Sequence, residues 1–257
     1  VKHLKKRPGN SYERLFARCM SAGASVVLVI LLMILTPAGF LHTCAAGTGN
    51  GVRYTYDSSL NPYFEAMVVE LYTNGTYTVP TADPALKTDL EDKFRYYFLG
   101  DMYWPSVHLD LPGTVTHIVQ VPLQDIQREV TGHMAAKQII DAFANMCEGM
   151  TDLEKVTFFH DYLCGYLAYD YEGSARQKAG GSSAIRDVYR TLVNRIAVCD
   201  GYARTFYALC GAAGVPVRFV TTGEHAWNEV QLNGAWKKVD VTWDSCGWGH
   251  TYFLVEP

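Results

Sequence analysis

No Cys-x-x-Cys pair occurs in the 257 residues, and His108, His117 and His133 are scattered, so the spacing gives no zinc motif. No stretch repeats in tandem, which argues against a solenoid or propeller. Charged residues are few, 19 % against 49 % apolar, so the chain is neither disordered nor of low complexity. Mean hydropathy near zero excludes a protein of many membrane spans. Beyond residue 18 there is no basic stripe: that part holds 16 bases against 25 acids, a net −9. Such a body does not suit nucleic acid.

The basic residues that are missing there are gathered at the head. Lys2, Lys5, Lys6, Arg7, Arg14 and Arg18 face only Glu13 within residues 1–18. Directly after them, Ala22 to Leu41 carries no charge over 20 residues, about the length that spans a bilayer as a helix. A core helix of that length shows a polar stripe, and this run has none. The expectation is a basic cytoplasmic tail (1–18), a transmembrane signal anchor or signal peptide (19–44) and a body outside the membrane. Small residues at Cys44-Ala45-Ala46 and Ala45-Ala46-Gly47 leave cleavage, and hence secretion, open.

Residues 45–62, rich in Gly, Ser, Thr and Asn, read as a linker. Residues 63–149 read as an α/β region. Met67 to Tyr72, Asn74-Gly75 and Thr76 to Val79 fit a hairpin. Leu86, Leu90, Phe94 and Tyr97 mark a helix face, and His117 to Val121 a short strand. Gln127 to Cys147 reads as a helix that turns Met134, Ile139, Ile140, Phe143 and Ala144 to the core. Thr151 and Glu154 form a capping box ahead of a helix with Val156, Phe159, Tyr162 and Leu163. Glu172 to Ser183 reads as a loop and Arg186 to Arg195 as a helix.

The chemistry concentrates beyond Val198. Asn233-Gly234 lies between His225–Leu232 and Ala235–Trp243, the strongest short hairpin signal, and implies a two-residue type I′ turn. That fixes the register: Leu232 faces Ala235, and His225 and Asp240 become diagonal neighbours on one face. A slip of one residue would separate them. Cys199 opens a helix whose Ala203, Phe206, Tyr207 and Cys210 share a buried face, closed by Gly214 and Pro216. A helix N-terminus and a neighbouring imidazolium favour a thiolate; the adjacent Asp200 opposes it. Thiol, base and orienting carboxylate are the parts of a covalent catalyst.

At these residues the sequence resembles the transglutaminase-like superfamily, particularly its bacterial extracytoplasmic members. The strings that carry the resemblance are Ala197-Val-Cys-Asp-Gly-Tyr-Ala203, His225-Ala-Trp-Asn228 and Val239-Asp-Val-Thr-Trp-Asp244. Gly214-Val-Pro216, His160-Asp-Tyr-Leu163 and Tyr169-Asp170 fit as well, and the clear match covers residues 150–257. The resemblance implies a papain-like α+β core, with the Cys199 helix packed on an antiparallel sheet that holds His225 and Asp240. It implies Cys199 as nucleophile, His225 as general base and then acid, Asp240 as orienter, and an acyl-thioester intermediate. No metal or organic cofactor is implied.

Hydrolysis of a protein, peptide or cell-envelope amide is the expected outcome. Crosslinking to an amine and a non-catalytic binding module are the alternatives. Trp227, Trp243 and Tyr202 are candidate walls of the acyl site, and the backbone N–H of Cys199 is the natural oxyanion donor. The chain stops at Pro257, soon after Thr251 to Leu254, where further strand or helix is expected. Cys147, Cys164, Cys210 and Cys246 allow three disulfide pairings, with structural thiols equally compatible. His250 reads as a loop residue near the site.

Overall fold

Helices and one antiparallel sheet share a single hydrophobic core, which matches the α+β expectation. The computed structural model describes residues 51–74, 85–86, 89–90, 108–110, 114–116, 123–180, 184–222, 224–247 and 249–257. The first elements are β1 (Val52–Thr55), a 3-10 turn (Ser58–Leu60), α1 (Asn61–Asn74), β2 (His108–Asp110), β3 (Thr114–Thr116) and α2 (Leu123–Met146). Then come α3 (Asp152–Tyr166), β4 (Ala168–Tyr169), α4 (Tyr171–Lys178), α5 (Val188–Asn194) and β5 (Ile196–Ala197). The last are α6 (Cys199–Ala212), β6 (Val217–Thr221), β7 (Ala226–Leu232), β8 (Ala235–Val239), α7 (Val241–Gly247) and β9 (Phe253–Val255). The membrane segment expected at 22–41 lies outside the described residues; among these, no helix is long and apolar enough to cross a membrane.

The sheet runs in the order β1-β6-β7-β8-β9, every pair antiparallel. Asn233 and Gly234 both have positive φ, as a type I′ turn demands. The ladder pairs Leu232 with Ala235 and Asn228 with Val239, so the register expected from Asn-Gly forms. It ends at Val239. Where the sequence reading continues the strand to Trp243, Asp240 instead caps α7.

Helix α6 lies at the centre. Ten of its fourteen residues are buried, and it packs against α2, α3, α5, α7, β6 and β7. Gly201 makes that packing close: a Cβ there would stand 2.6 Å from both Ala197 Cβ and Thr191 Oγ1.

Several expectations are corrected. Val52–Thr55, read as linker, is the edge strand β1. Arg53 holds it by hydrogen bonds to the buried Glu229 of β7 at 2.9 and 3.0 Å, and Arg218 of β6 lies 3.5 Å from the same carboxylate. Met67 to Tyr72, read as the first strand of a β-hairpin, lie in helix α1 (Asn61–Asn74), which begins within the stretch read as linker. Pro62 in the first turn suits a helix start, and Leu60, Tyr63 and Met67 fall at helical spacing toward the core. Residues 75–80, the helix-face positions Phe94 and Tyr97, and the strand expected at His117 to Val121 lie outside the described residues. Leu86 and Leu90 of that helix face do pack on the core.

Helix α2 forms, yet Met134 points outward at 51 % exposed. Residues 172–178, read as loop, belong to α4, started by the Asp170 carboxylate accepting the Gly173 N–H. The Thr151–Glu154 capping box is present in both directions. The boundary drawn at 149/150 is not a core boundary, because Val130, Ile140 and Phe143 share one cluster with Phe159, Phe206 and Phe219. Cys147, Cys164 and Cys210 are not disulfide-bonded, so none of the three pairings forms; Cys246 is disulfide-bonded, and to none of them.

Because Ala197 and Thr191 offer a new methyl no slack, Gly201→Ala is expected to cost about 1–3 kcal/mol by overpacking. Urea unfolding measures it; an unchanged midpoint would show that the α5–α6 contact is looser than described.

Candidate active site

Cys199 is the first residue of α6. Its N-cap, Val198, makes no side-chain cap, and the half-buried thiol sits at the positive end of the helix. The acid beside it, Asp200, is paired: Arg186 Nη1 donates to Asp200 Oδ2. The negative charge that the sequence sets next to the thiol is thereby offset.

His225 stands just before β7, in a turn closed at both ends. Its N–H donates to Thr222 Oγ1 (3.2 Å), and the Thr222 N–H donates to its carbonyl (3.0 Å). Asp240 stands just after β8. Its Oδ1 accepts the Trp243 N–H at 3.2 Å, which caps α7. Its Oδ2 lies 2.8 Å from His225 Nε2. With Nε2–H given to the carboxylate, Nδ1 is left with its lone pair for Cys199, with which His225 also hydrogen-bonds. A thiol that passes its proton to that nitrogen becomes a thiolate beside an imidazolium.

Burial alone would lower the His225 pKa. The hydrogen bonds to Asp240 and Cys199, with the charges of both, outweigh it and raise it to about 9. The cation is also stacked: the Trp243 ring lies parallel at 4.6 Å and the Trp227 ring at 5.8 Å. Both tryptophans therefore lie at the site. Tyr202 does not line it, since its side chain is 1 % exposed and packed in the core.

Three contributors were not assigned from sequence. Asn228 Nδ2 donates to the Ala203 carbonyl of α6 (3.1 Å) and to the Arg218 carbonyl of β6 (3.2 Å), tying the strand that follows His225 to the helix that bears Cys199. A polar residue between inward-facing Ala226 and Val230 was the available signal. Lys238 Nζ lies 4.5 and 4.4 Å from the Trp227 and Trp243 ring centroids and 3.7 Å from Asp240 Oδ2. Arg186 is the third.

A second polar cluster adjoins α7. Buried His160 has Nε2 3.0 Å from Asp244 Oδ2 and Nδ1 2.9 Å from Asp161 Oδ1. Burial would lower its pKa, but the two carboxylates, with Cys164, raise it to about 11. Asp244 also accepts the Tyr252 N–H at 2.9 Å. His250, expected near the thiol site, lies here instead, half-exposed, with Nε2 2.6 Å from Asp161 Oδ1.

Residues 141–241 match the family model of the transglutaminase-like superfamily, and Cys199, His225 and Asp240 all fall within them. The chain carries a transglutaminase-like domain. Over 114 residues the chain is 35 % identical to the kyphoscoliosis peptidases of Mus musculus and Homo sapiens. That alignment takes 38 % of this chain and 17 % of each peptidase, so the chain spans a small part of the relatives' length. Two solved structures are also similar. One is a candidate cysteine protease from Cytophaga hutchinsonii (22 % identity, 41 % of this chain, 37 % of that chain, TM-score 0.33). The other is a TGase (19 % identity, 49 % of this chain, 35 % of that chain, TM-score 0.37).

Two outcomes are expected of this transglutaminase-like domain. Asp240→Asn removes the charge that raises the His225 pKa and leaves the burial that lowers it, so the imidazolium loses its proton at lower pH. An NMR titration of His225 should show its midpoint move down from about 9. The linked stability has the same sign. In the parent it is complete below the unfolded pKa of about 6.5 and is lost as pH rises through about 9, and the variant lacks it. A midpoint that stays put would mean that Asp240 does not hold the proton. Separately, Asn228→Ala leaves the buried Ala203 carbonyl and the part-buried Arg218 carbonyl without this donor and is expected to cost about 1–3 kcal/mol in a denaturant titration.

Proposed function

We propose that the transglutaminase-like domain is a thiol hydrolase of peptide or related amide bonds, with Cys199 as nucleophile, His225 as general base and acid, and Asp240 as its orienter. The observation that carries this reading is the 2.8 Å bond from His225 Nε2 to Asp240, which reserves Nδ1 for the thiol at the start of α6. Nδ1 takes the Cys199 proton, and Sγ attacks the amide carbonyl carbon. As the C–S bond forms, charge moves to the carbonyl oxygen, toward the Cys199 backbone N–H at the positive end of α6. The tetrahedral intermediate collapses with rupture of the C–N bond, and the imidazolium gives its proton to the leaving amine. Water, deprotonated by His225, then cleaves the thioester and restores the thiol.

Water is the acceptor in this reading; an amine in its place would give crosslinking through the same thioester. The uncharged run at 22–41 behind a basic head supports a membrane-anchored protein with the domain on the outer side. Its substrates would be proteins, peptides or cell-envelope amides.

The test is alkylation of the full chain by iodoacetamide across pH. Cys199 should label well below pH 7, far faster than a simple thiol, and His225→Ala should abolish the advantage. Slow labelling with the pH profile of a simple thiol, unchanged by the mutation, would leave the domain without an activated nucleophile. An unfolded protein substrate, supplied with and without a fluorescent primary amine, then separates the acceptors. New N-termini report hydrolysis, and incorporated amine reports transfer.

A further inference from the structure

The cluster beside α7 takes no part in the thiol chemistry, yet three of its donor atoms converge. Asp161 Oδ1 lies 2.9 Å from His160 Nδ1 and 2.6 Å from His250 Nε2, and the three atoms fall within 4.8 Å of one another. His160 and Asp161 are consecutive on α3, and consecutive helical residues do not ordinarily face one another. Here both are turned to one point, which His250 reaches from 89 residues away.

The surroundings are those of a ligand set. His160 Nε2 is engaged by Asp244 at 3.0 Å, the carboxylate–histidine pairing that fixes ring and tautomer so that the other nitrogen can bind a metal. Both rings lean on Phe253, at 4.5 and 4.7 Å between centroids, which sets their planes. His160 is 1 % exposed and His250 50 %, so the point has a buried side and an open side. Cys164 Sγ lies 3.6 Å from Nε2, on the far edge of the ring, and stays outside the set.

We propose that His160 Nδ1, Asp161 Oδ1 and His250 Nε2 form a site for a divalent cation of the zinc class, with water in the fourth, open position. Two imidazoles and one carboxylate suit that ion. Around zinc, with ligands at about 2.0–2.1 Å, tetrahedral donor atoms stand about 3.4 Å apart. The 2.9 and 2.6 Å separations widen by about 0.5–0.8 Å, and the two imidazole nitrogens, within 4.8 Å of each other, settle at the same distance, which side-chain rotation supplies. The proton held between His160 and Asp161 leaves to solvent as the ion enters. The bound ion would clasp the segment between α7 and β9 onto α3.

The experiment uses the full chain carrying Cys199→Ser, so that the active-site thiol cannot ligate metal. Isothermal titration with zinc against a competing chelator should give one ion per chain and a raised Tm. His250→Ala, at a half-exposed position, should weaken binding at least tenfold, and Asp161→Asn should weaken it too. Cobalt(II) should give the strong visible bands of a four-coordinate site without a thiolate-to-metal band in the near ultraviolet. Absence of saturable binding, affinity in both variants unchanged from the parent, or a thiolate band would each overturn the proposal.

Discussion

Asp240 stands where β8 ends and α7 begins, and its two carboxylate oxygens serve different neighbours. Oδ1 takes the Trp243 N–H and starts the helix; Oδ2 takes His225 Nε2 and sets its tautomer. One side chain thus ends a strand, begins a helix and decides which imidazole nitrogen keeps a lone pair. Trp243 reaches its place against the His225 ring because the chain turns helical there. The Asp240 backbone N–H is bonded to the Tyr252 carbonyl, so the returning segment holds the switch in place.

Two other buried charges among the described residues each lie between two opposite charges. Glu229 lies between Arg53 and Arg218, and His160 between Asp161 and Asp244. Ion pairs of this kind contribute little net stability against well-packed apolar replacements, yet loss of one partner is costly. They fix which elements meet: Glu229 joins β1 to β7, and Asp244 joins α7 to α3.

How much could be read in advance depended on how local the signal was. The β7–β8 register was legible because Asn233-Gly234 dictates its own turn, and the Thr151 capping box because both partners lie within four residues. The Cys199 helix was legible from its apolar spacing. Helix α1 was missed because Val68 and Val69, β-branched residues beside Asn-Gly, imitate a hairpin, whereas packing on the core favours the helix. Helix α7 was missed because Val241-Thr242-Trp243 has strand composition; the cap from Asp240 prevailed. The ties made by Asn228 and Arg186 depend on residues ten or more positions away, which no periodicity reports.

The central position of α6 sets a hierarchy of motion. A helix enclosed by sheet on one side and helices on others opens only when much of the protein opens, so its amides belong to the slowest class of hydrogen exchange. The sulfur at its first residue is consequently a stationary landmark.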